Sequence, residues 1–163
     1  MENRKLVIYF FIKLAIVCAV VAIVFTLVFG ILFCKGESMY PRIRDGDVAI
    51  YYRLVRDYQT GDVVVFNNSG TNVAARIVAQ SGDVIDLNQD GQLIVNGNVQ
   101  QEEVFFPTES IPGGITYPYE VGEKQYFLLC DNRPSASDSR FFGAVSQKEI
   151  KGKVINLFRR RGI

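Results

Sequence analysis

The 163-residue sequence contains no histidine, no tryptophan and only three cysteines. Without histidine, Ser-His-Asp and Cys-His catalytic arrangements are excluded, so a nucleophilic serine would need a lysine, a carboxylate or an amino terminus as its base. No CxxC or Cys/His spacing occurs, and two of the three cysteines lie in an apolar run, which argues against a zinc site. A net charge of +1 gives no electrostatic case for nucleic acid. We therefore expect no metal, no cofactor and no nucleic-acid partner.

The longest uncharged apolar run extends over 21 residues, from Leu14 to Cys34. About 20 apolar residues span the hydrocarbon core of a bilayer, so the run predicts a transmembrane helix. A cleaved signal sequence would have a shorter apolar region and an Ala-x-Ala-like exit, which is absent here. Three basic residues precede the run: Arg4, Lys5 and Lys13. We expect a single-pass cell-membrane protein, with residues 1–34 as cytoplasmic N-terminus and anchor and residues 35–163 as an extracytoplasmic domain on the lipid bilayer.

Beyond the anchor, short apolar runs alternate with turn residues. Strands are predicted at 47–52, 63–66, 73–78, 84–87, 93–95, 126–129 and 154–158. Hairpin turns are predicted at 88–91 and at Asn96-Gly97, and Ser146 with Glu149 fits a capping box that would start a short helix. This pattern predicts a mostly β domain, either barrel-like or a folded sandwich.

One serine, Ser38, follows the apolar run by four residues, between Gly36 and Pro41. Glycine permits backbone angles that are closed to other residues, and proline fixes φ, so the loop is locally constrained. A hydroxyl on such a loop is a candidate nucleophile, although most loop serines only form turns. The loop alone is therefore weak evidence.

Four ordered segments strengthen the case. They are Gly36-Glu-Ser-Met-Tyr-Pro41 with Gly46-Asp47, Gly61-Asp-Val-Val-Val-Phe66, Arg76 with Gly82-Asp83, and Asp131-Asn-Arg133 with Asp138-Ser-Arg140. In this order, behind one anchor, they resemble the conserved boxes of the type I signal peptidases, and the resemblance covers nearly the whole chain.

The resemblance implies a mostly β, signal-peptidase-like domain behind one N-terminal transmembrane helix. It also implies a membrane-bound serine endopeptidase that removes signal peptides from exported preproteins by a Ser/Lys dyad, after small residues. Ser38 would be the nucleophile, and its backbone N–H would help to form the oxyanion hole. The residues expected to support this site are Gly36, Met39, Pro41, Arg76, Asp131, Asn132, Arg133, Asp138, Ser139 and Arg140. We expect their charged members to be structural ion pairs rather than proton-transfer groups.

An extended substrate peptide could pair with an exposed strand edge. The candidate substrate-binding residues are Val63, Val64, Val65, Val73 and Ala74. Each of these side chains could equally belong to the core of an ordinary strand.

The sequence departs from the family pattern at the general base. The family's lysine directly precedes the arginine that corresponds to Arg76, and that position is Ala75 here. Alanine cannot accept a proton, although the apolar neighbours would have desolvated a lysine. Other lysines lie at the membrane exit or in polar segments, where an ammonium group stays protonated at neutral pH. The chain is therefore predicted to be inactive.

Two explanations of Ala75 remain. We favour a Lys→Ala substitution introduced into an active enzyme, because Ser38 and the acidic and basic residues of the last boxes are intact. The alternative is a natural non-catalytic homologue that acts as a binding or assembly factor for exported or pilin-like proteins. Ala136, which stands where the family has a serine that supports the base, adds weight to this alternative, although Ser135 and Ser137 flank it.

Overall fold

The computed structural model describes residues 2–55, 57–100, 106–135 and 137–159. It begins with a helix, α1 (Glu2–Val28), which passes directly into the first strand, β1 (Phe29–Phe33). The segment Arg4–Val28 is long and apolar enough to cross a membrane, and none of it is buried against the rest of the chain. A 27-residue helix is about 40 Å long, which exceeds the hydrocarbon thickness of a bilayer.

The prediction that the helix continues to Cys34 was wrong, because α1 ends at Val28 and the last part of the apolar run is β1. β1 pairs along its whole length with the next strand, from Phe29 opposite Tyr52 to Phe33 opposite Val48. Gly30 makes this pairing possible, since a Cβ added there would lie 2.1 Å from the ring of Tyr51. An apolar run suits a helix and a strand equally, and here the partner strand decides the outcome.

The described residues contain ten further strands and two short helical segments. The strands are β2 (Val48–Tyr52), β3 (Val63–Asn68), β4 (Thr71–Gln80), β5 (Val84–Leu87), β6 (Leu93–Val95), β7 (Asn98–Val99), β8 (Tyr119–Glu120), β9 (Gln125–Leu129), β10 (Val145–Ser146) and β11 (Ile150–Phe158). The helical segments are a 3₁₀ turn (Arg133–Ser135) and α2 (Ser139–Phe142).

These strands form two sheets in which all neighbours are antiparallel. The larger sheet has the order β1-β2-β11-β3-β4-β9-β10, and the smaller has the order β7-β6-β5-β8. The predicted mostly β fold is confirmed, and so is the hairpin in which Ile85 pairs with Val95. The predicted helix at Ser146 was wrong: Glu149 accepts a hydrogen bond from the backbone N–H of Ser146, but this contact closes a turn between β10 and β11.

Two hydrophobic clusters hold the sheets together, and the strands β4 and β9 contribute to both. Ile77 and Leu128 belong to the first cluster, which lies below the Ser38 loop, whereas Phe127 and Leu129 belong to the second, which lies below the smaller sheet. Successive residues of a strand point to opposite faces, so these two strands divide the core and connect its halves. The end of β9 therefore brings the segment after it, from Cys130 onward, to the Ser38 loop.

Candidate active site

The loop that carries Ser38 is held by backbone contacts on both sides. Gly36, with a φ of 74°, donates its N–H to the carboxylate of Asp45 at 2.7 Å. The carbonyl of Ser38 accepts from the N–H of Asn132 at 2.9 Å, and the side-chain amide of Asn132 donates to Glu37 O at 3.0 Å. Ser38 is half-buried. Two predicted segments, the serine loop and the Asp131-Asn132-Arg133 box, are thus joined directly.

Met39 and Pro41 complete this loop. Met39 is buried in the first cluster, and its sulfur accepts from the backbone N–H of Asp131 at 3.4 Å. The peptide bond from Tyr40 to Pro41 is cis, and Pro41 is half-buried. Both predicted supporting residues therefore lie beside Ser38, where Met39 links the serine loop to the loop after β9.

Arg76 fixes the loop after β9 to the sheet. Its Nε and Nη2 atoms donate to the two carboxylate oxygens of Asp131 at 2.8 and 2.7 Å, and its Nη1 donates to Gly61 O at 2.8 Å. Asp131 is 3% exposed. A bidentate pair of this kind sets orientation as well as distance, so Arg76 positions the loop after β9.

A second charged cluster lies deeper in the fold. Asp138 accepts from Nε and Nη2 of Arg140 at 2.9 and 3.1 Å, and it also caps α2 by accepting from the Arg140 backbone N–H. Arg133 donates to Cys130 O at 2.7 Å and to the hydroxyl of Thr108. The hydroxyl of Ser139 accepts from Leu128 N at 3.0 Å. These side chains are buried; Asp138 and Arg140 pair with each other, whereas Arg133 and Ser139 bind backbone groups at the end of β9.

A cavity of about 320 Å³ opens beside Ser38. One wall comes from the end of β1 and includes Leu32 and Cys34, and the other comes from the start of β4 and includes Val73 and Ala74. β1 is an edge strand of the larger sheet, and residues 71–75 of β4 pair with β3 alone, since the described pairing with β9 begins at Arg76. The cavity is therefore flanked by two strand edges.

The predicted substrate-binding residues separate into two groups. Val73 and Ala74 line the cavity. Val64 and Val65 are 0% exposed in a strand that pairs on both sides, and the half-buried Val63 pairs with Arg76. A fully buried side chain cannot contact a peptide on the surface, so the structure corrects the prediction at Val64 and Val65, which belong to the core.

Ala75 is also 0% exposed, in the middle of β4. Sequence reasoning missed Cys130, which belongs to the same buried cluster as Ala75 and is 5% exposed. The Cys130 sulfur lies 3.9 Å from the carbonyl oxygen of Ala74. Burial raises the pKa of the Cys130 thiol from 9.0 to about 12, the charges of Asp138 and Asp131 add to the rise, and a hydrogen bond with the Ser38 side chain opposes it. The only sequence signal for Cys130 was its place directly before the Asp131 box.

Lysines are sparse around Ser38. Lys35 lines the cavity but is exposed, and Lys153 forms an ion pair with Asp62 at 2.6 Å. Lys124 and Lys148 line a separate cavity beside Arg53. Ala136, the predicted replacement of a supporting serine, lies outside the described residues, and Ser137 next to it is exposed.

Comparison with known proteins identifies the family of this chain. A family profile described as "Signal peptidase, peptidase S26" matches residues 7–158. The chain therefore belongs to the S26 family of signal peptidases, proteases that remove signal peptides. The resemblance inferred from the sequence is confirmed.

Individual relatives cover most of the chain. Signal peptidase IB of Staphylococcus aureus (strain COL) is 28% identical over 170 residues, covering 93% of this chain and 88% of the relative. The same protein from strain Mu50 is 30% identical over 139 residues, covering 74% and 72%. Signal peptidase I S of Bacillus subtilis (strain 168) is 28% identical over 152 residues, covering 85% and 82%. A crystal structure of a signal peptidase I from Enterococcus faecalis is 24% identical, with a TM-score of 0.49, and covers 63% of this chain and 99% of that one.

Proposed function

We propose that this chain binds the signal peptides of exported preproteins in the cavity beside Ser38 and does not cleave them, because Ala75 leaves the serine without a base. Two observations together carry the proposal. Backbone hydrogen bonds hold the Ser38 loop in place, and a buried methyl group, that of Ala75, stands where the family has its lysine. Recognition is thus retained while proton transfer is lost.

The cavity suits an extended peptide with small side chains. Its two flanking strand edges, β1 and the start of β4, offer backbone groups on either side, and a peptide that adds to a sheet gains affinity through main-chain hydrogen bonds. Side chains such as Ala74 and Cys34 narrow the space beside Ser38. We therefore expect the substrate to carry a small side chain at the position that lies next to Ser38.

Peptide-bond hydrolysis by a serine needs a group that takes the hydroxyl proton and returns it to the leaving amine. The Cys130 thiol cannot do so at neutral pH, since burial raises its pKa to about 12 and it stays protonated. Lys35 is exposed to water rather than enclosed with the serine. Loss of general-base assistance costs about 10²–10⁴-fold in rate, and more where the residues act as a unit.

The test uses the full chain in detergent micelles or nanodiscs with a preprotein that carries an Ala-x-Ala site. Photocrosslinking from the residues before that site should capture the chain, and Val73→Arg should lower capture at least about tenfold by placing a charge in the apolar wall. The conservative Val73→Ile variant is the control. No Ser38-dependent cleavage product should form; cleavage that disappears in Ser38→Ala would refute the proposed loss of the base.

A second candidate is a natural binding or assembly factor for exported or pilin-like proteins. One observation favours it over an enzyme altered only at position 75: Ala136 stands where the family has a serine that supports the base. An assembly factor keeps its cargo intact, so bound preprotein should be recovered at full length after prolonged incubation and should be passed on to a downstream acceptor protein. If the preprotein dissociates and binds this chain again without being transferred to the acceptor, the assembly role is contradicted.

For location, we propose that the N-terminus is cytoplasmic and that the β domain lies on the outer face of the cell membrane. The basic residues Arg4, Lys5 and Lys13 support this orientation, as does the length of α1. Protease added to intact cells or right-side-out vesicles should digest the β domain. Digestion of the β domain only after the membrane is opened would show the opposite orientation.

A further inference from the structure

We infer that the second cavity, which lies beside Arg53, binds the phosphate headgroup of an anionic phospholipid. Its walls come from the segment after β2, the turn before β9 and the turn between β10 and β11. Its volume of about 590 Å³ lies within the range of small-molecule sites, about 300–1,000 Å³. Its described lining residues and those of the Ser38 cavity do not overlap. The inference adds a ligand of another chemical class to the proposed function, and it rests on α1 crossing the membrane.

Arg53 places one wall of the second cavity at the end of α1. Its backbone N–H donates at 2.9 Å to the carbonyl oxygen of Val28, the last residue of the helix, and its Nε donates to Phe29 O at 3.0 Å. Arg53 is exposed and lines the cavity. A helix of this length exceeds the hydrocarbon thickness of a bilayer, so its end lies among the lipid headgroups. The wall formed by Arg53 is therefore within reach of those headgroups.

Two exposed lysines, Lys124 and Lys148, line the same cavity. The backbone N–H of Gln147 donates to Lys124 O at 2.9 Å, so the two turns that carry the lysines are joined. Within the part of the chain that the structure describes, neither lysine forms an ion pair. Glu123 is the single acidic residue in the described lining, against three basic residues. The cavity therefore has an excess of positive charge, which suits a phosphate group.

The apolar part of the lining favours a lipid over a free anion. Leu54 lines the cavity and is 56% exposed, and the half-buried Val55 lines it next to Leu54. Tyr58 is buried and packs edge-on against Tyr126, with ring centroids 5.5 Å apart, which gives the cavity a firm wall. A phospholipid joins a phosphate to hydrocarbon, so it would use both the lysines and the exposed leucine. Inorganic phosphate would use the lysines alone.

The test uses the full chain in phosphatidylcholine nanodiscs that contain a small fraction of phosphatidylglycerol with a photoreactive group beside its phosphate. After photolysis, peptide mapping should find the label on the three segments that line the second cavity. The double variant Lys124→Gln with Lys148→Gln should lower this labelling at least about tenfold, because each basic side chain near an anionic bilayer surface strengthens binding about fivefold. Leu54→Ser should also lower the labelling, although it leaves both lysines in place.

The matched control removes two positive charges elsewhere, by Arg44→Gln with Arg159→Gln. Both residues are exposed. Arg44 precedes β2 and Arg159 follows β11, whose ends pair at Val48 and Phe158, whereas Arg53 follows the other end of β2. The control therefore changes the net charge equally and leaves the lining of the second cavity intact. Its labelling should equal that of the unaltered chain, and thermal unfolding should show that both double variants remain folded.

Three results would overturn the headgroup site. One is an equal loss of labelling in the two double variants, which would show general attraction of a basic protein to an anionic surface. Another is label on segments outside the second cavity. The third is full competition by an excess of soluble glycerol phosphate or of an acidic peptide, which would show that a free phosphate or a polypeptide is the ligand.

Capture of the preprotein, measured on the same samples, separates this inference from the proposed function. The lysine variant should capture preprotein as the unaltered chain does, because it leaves the Ser38 cavity intact. Site-specific lipid labelling without preprotein capture by the unaltered chain contradicts the proposed function alone. Preprotein capture without site-specific labelling contradicts the headgroup site alone. Release of the chain from membranes by alkaline carbonate would show that α1 does not cross the bilayer, and the inference would fall with it.

Discussion

Replacement of Asp138 by alanine should cost far more stability than the loss of any single surface charge. Asp138 is 0% exposed, and its carboxylate accepts from Arg140 Nε at 2.9 Å, from Arg140 Nη2 at 3.1 Å and from Cys130 N at 3.2 Å. Without it, the Arg140 guanidinium, 3% exposed, keeps only the carbonyls of Arg133 and Glu109 as described partners. Breaking a buried pair and leaving its charge costs about 3–5 kcal/mol.

That loss is a large part of the 5–15 kcal/mol by which a typical domain is stable, and it corresponds to a fall of roughly 10–20 °C in Tm. The assay is thermal unfolding of the full chain in detergent. Lys153→Ala is the control, because its ion pair with Asp62 is as short, 2.6 Å, but the lysine side chain is 38% exposed. Such a pair contributes about 0–1 kcal/mol.

Removing both partners, Asp138→Ala with Arg140→Met, should cost less than removing Asp138 alone, since no uncompensated charge is left. Two results would refute the reasoning. One is an Asp138→Ala melting temperature within a few degrees of that of Lys153→Ala. The other is a double variant that is less stable than the single variant.

Two further predictions concern the backbone and alkaline pH. Gly152→Ala should destabilise the fold by about 1–3 kcal/mol, because the added Cβ would lie 2.3 Å from Tyr52 O. Gly97→Ala is the control, since its Cβ would meet open space and the variant bears only the strain of a φ of 78°. Urea unfolding compares the two variants, and equal midpoints would exclude the clash. Burial raises the pKa of Cys130 to about 12 from 9.0 and that of Tyr117 to about 12 from 10.0. The folded chain keeps protons that the unfolded chain releases, so the free energy of unfolding is unaffected below about pH 9 and falls between about pH 9 and pH 12. The fall, followed by urea midpoints, should be smaller in Cys130→Ala, and an unchanged slope would contradict it.

The elements that could be predicted from sequence are those whose local chemistry allows one outcome. Asn96-Gly97 between apolar runs forms the turn between β6 and β7, as such pairs do when φ must be positive at both positions. The ordered boxes predicted that Ser38 and Asp131 would meet, and the Asn132 contacts join their loops. Motifs carry this information because several positions must agree at once.

The features that could not be predicted depend on neighbours distant in the chain. The apolar run itself does not show that the helix ends before Phe29. The pairing of Phe29 with Tyr52 of β2 determines that a strand begins there. Val64 and Val73 have the same residue type, yet one lies in the interior of the sheet and the other beside a cavity, because β4 pairs with β9 over only half its length. The burial of Cys130 beside Ala74 depends on the pairing of β9 with β4, and that register is not visible in either strand alone.

The absence of any linker between Val28 and Phe29 has a mechanical consequence. Five extended residues of β1 rise about 17 Å, so in the proposed orientation this strand sets the distance from the end of α1 to the cavity beside Ser38. A polypeptide whose own apolar segment is still in the lipid must bridge the same gap to dock. The proposed site would therefore select a signal peptide by the length of the segment between the lipid and the cleavage site as well as by its side chains.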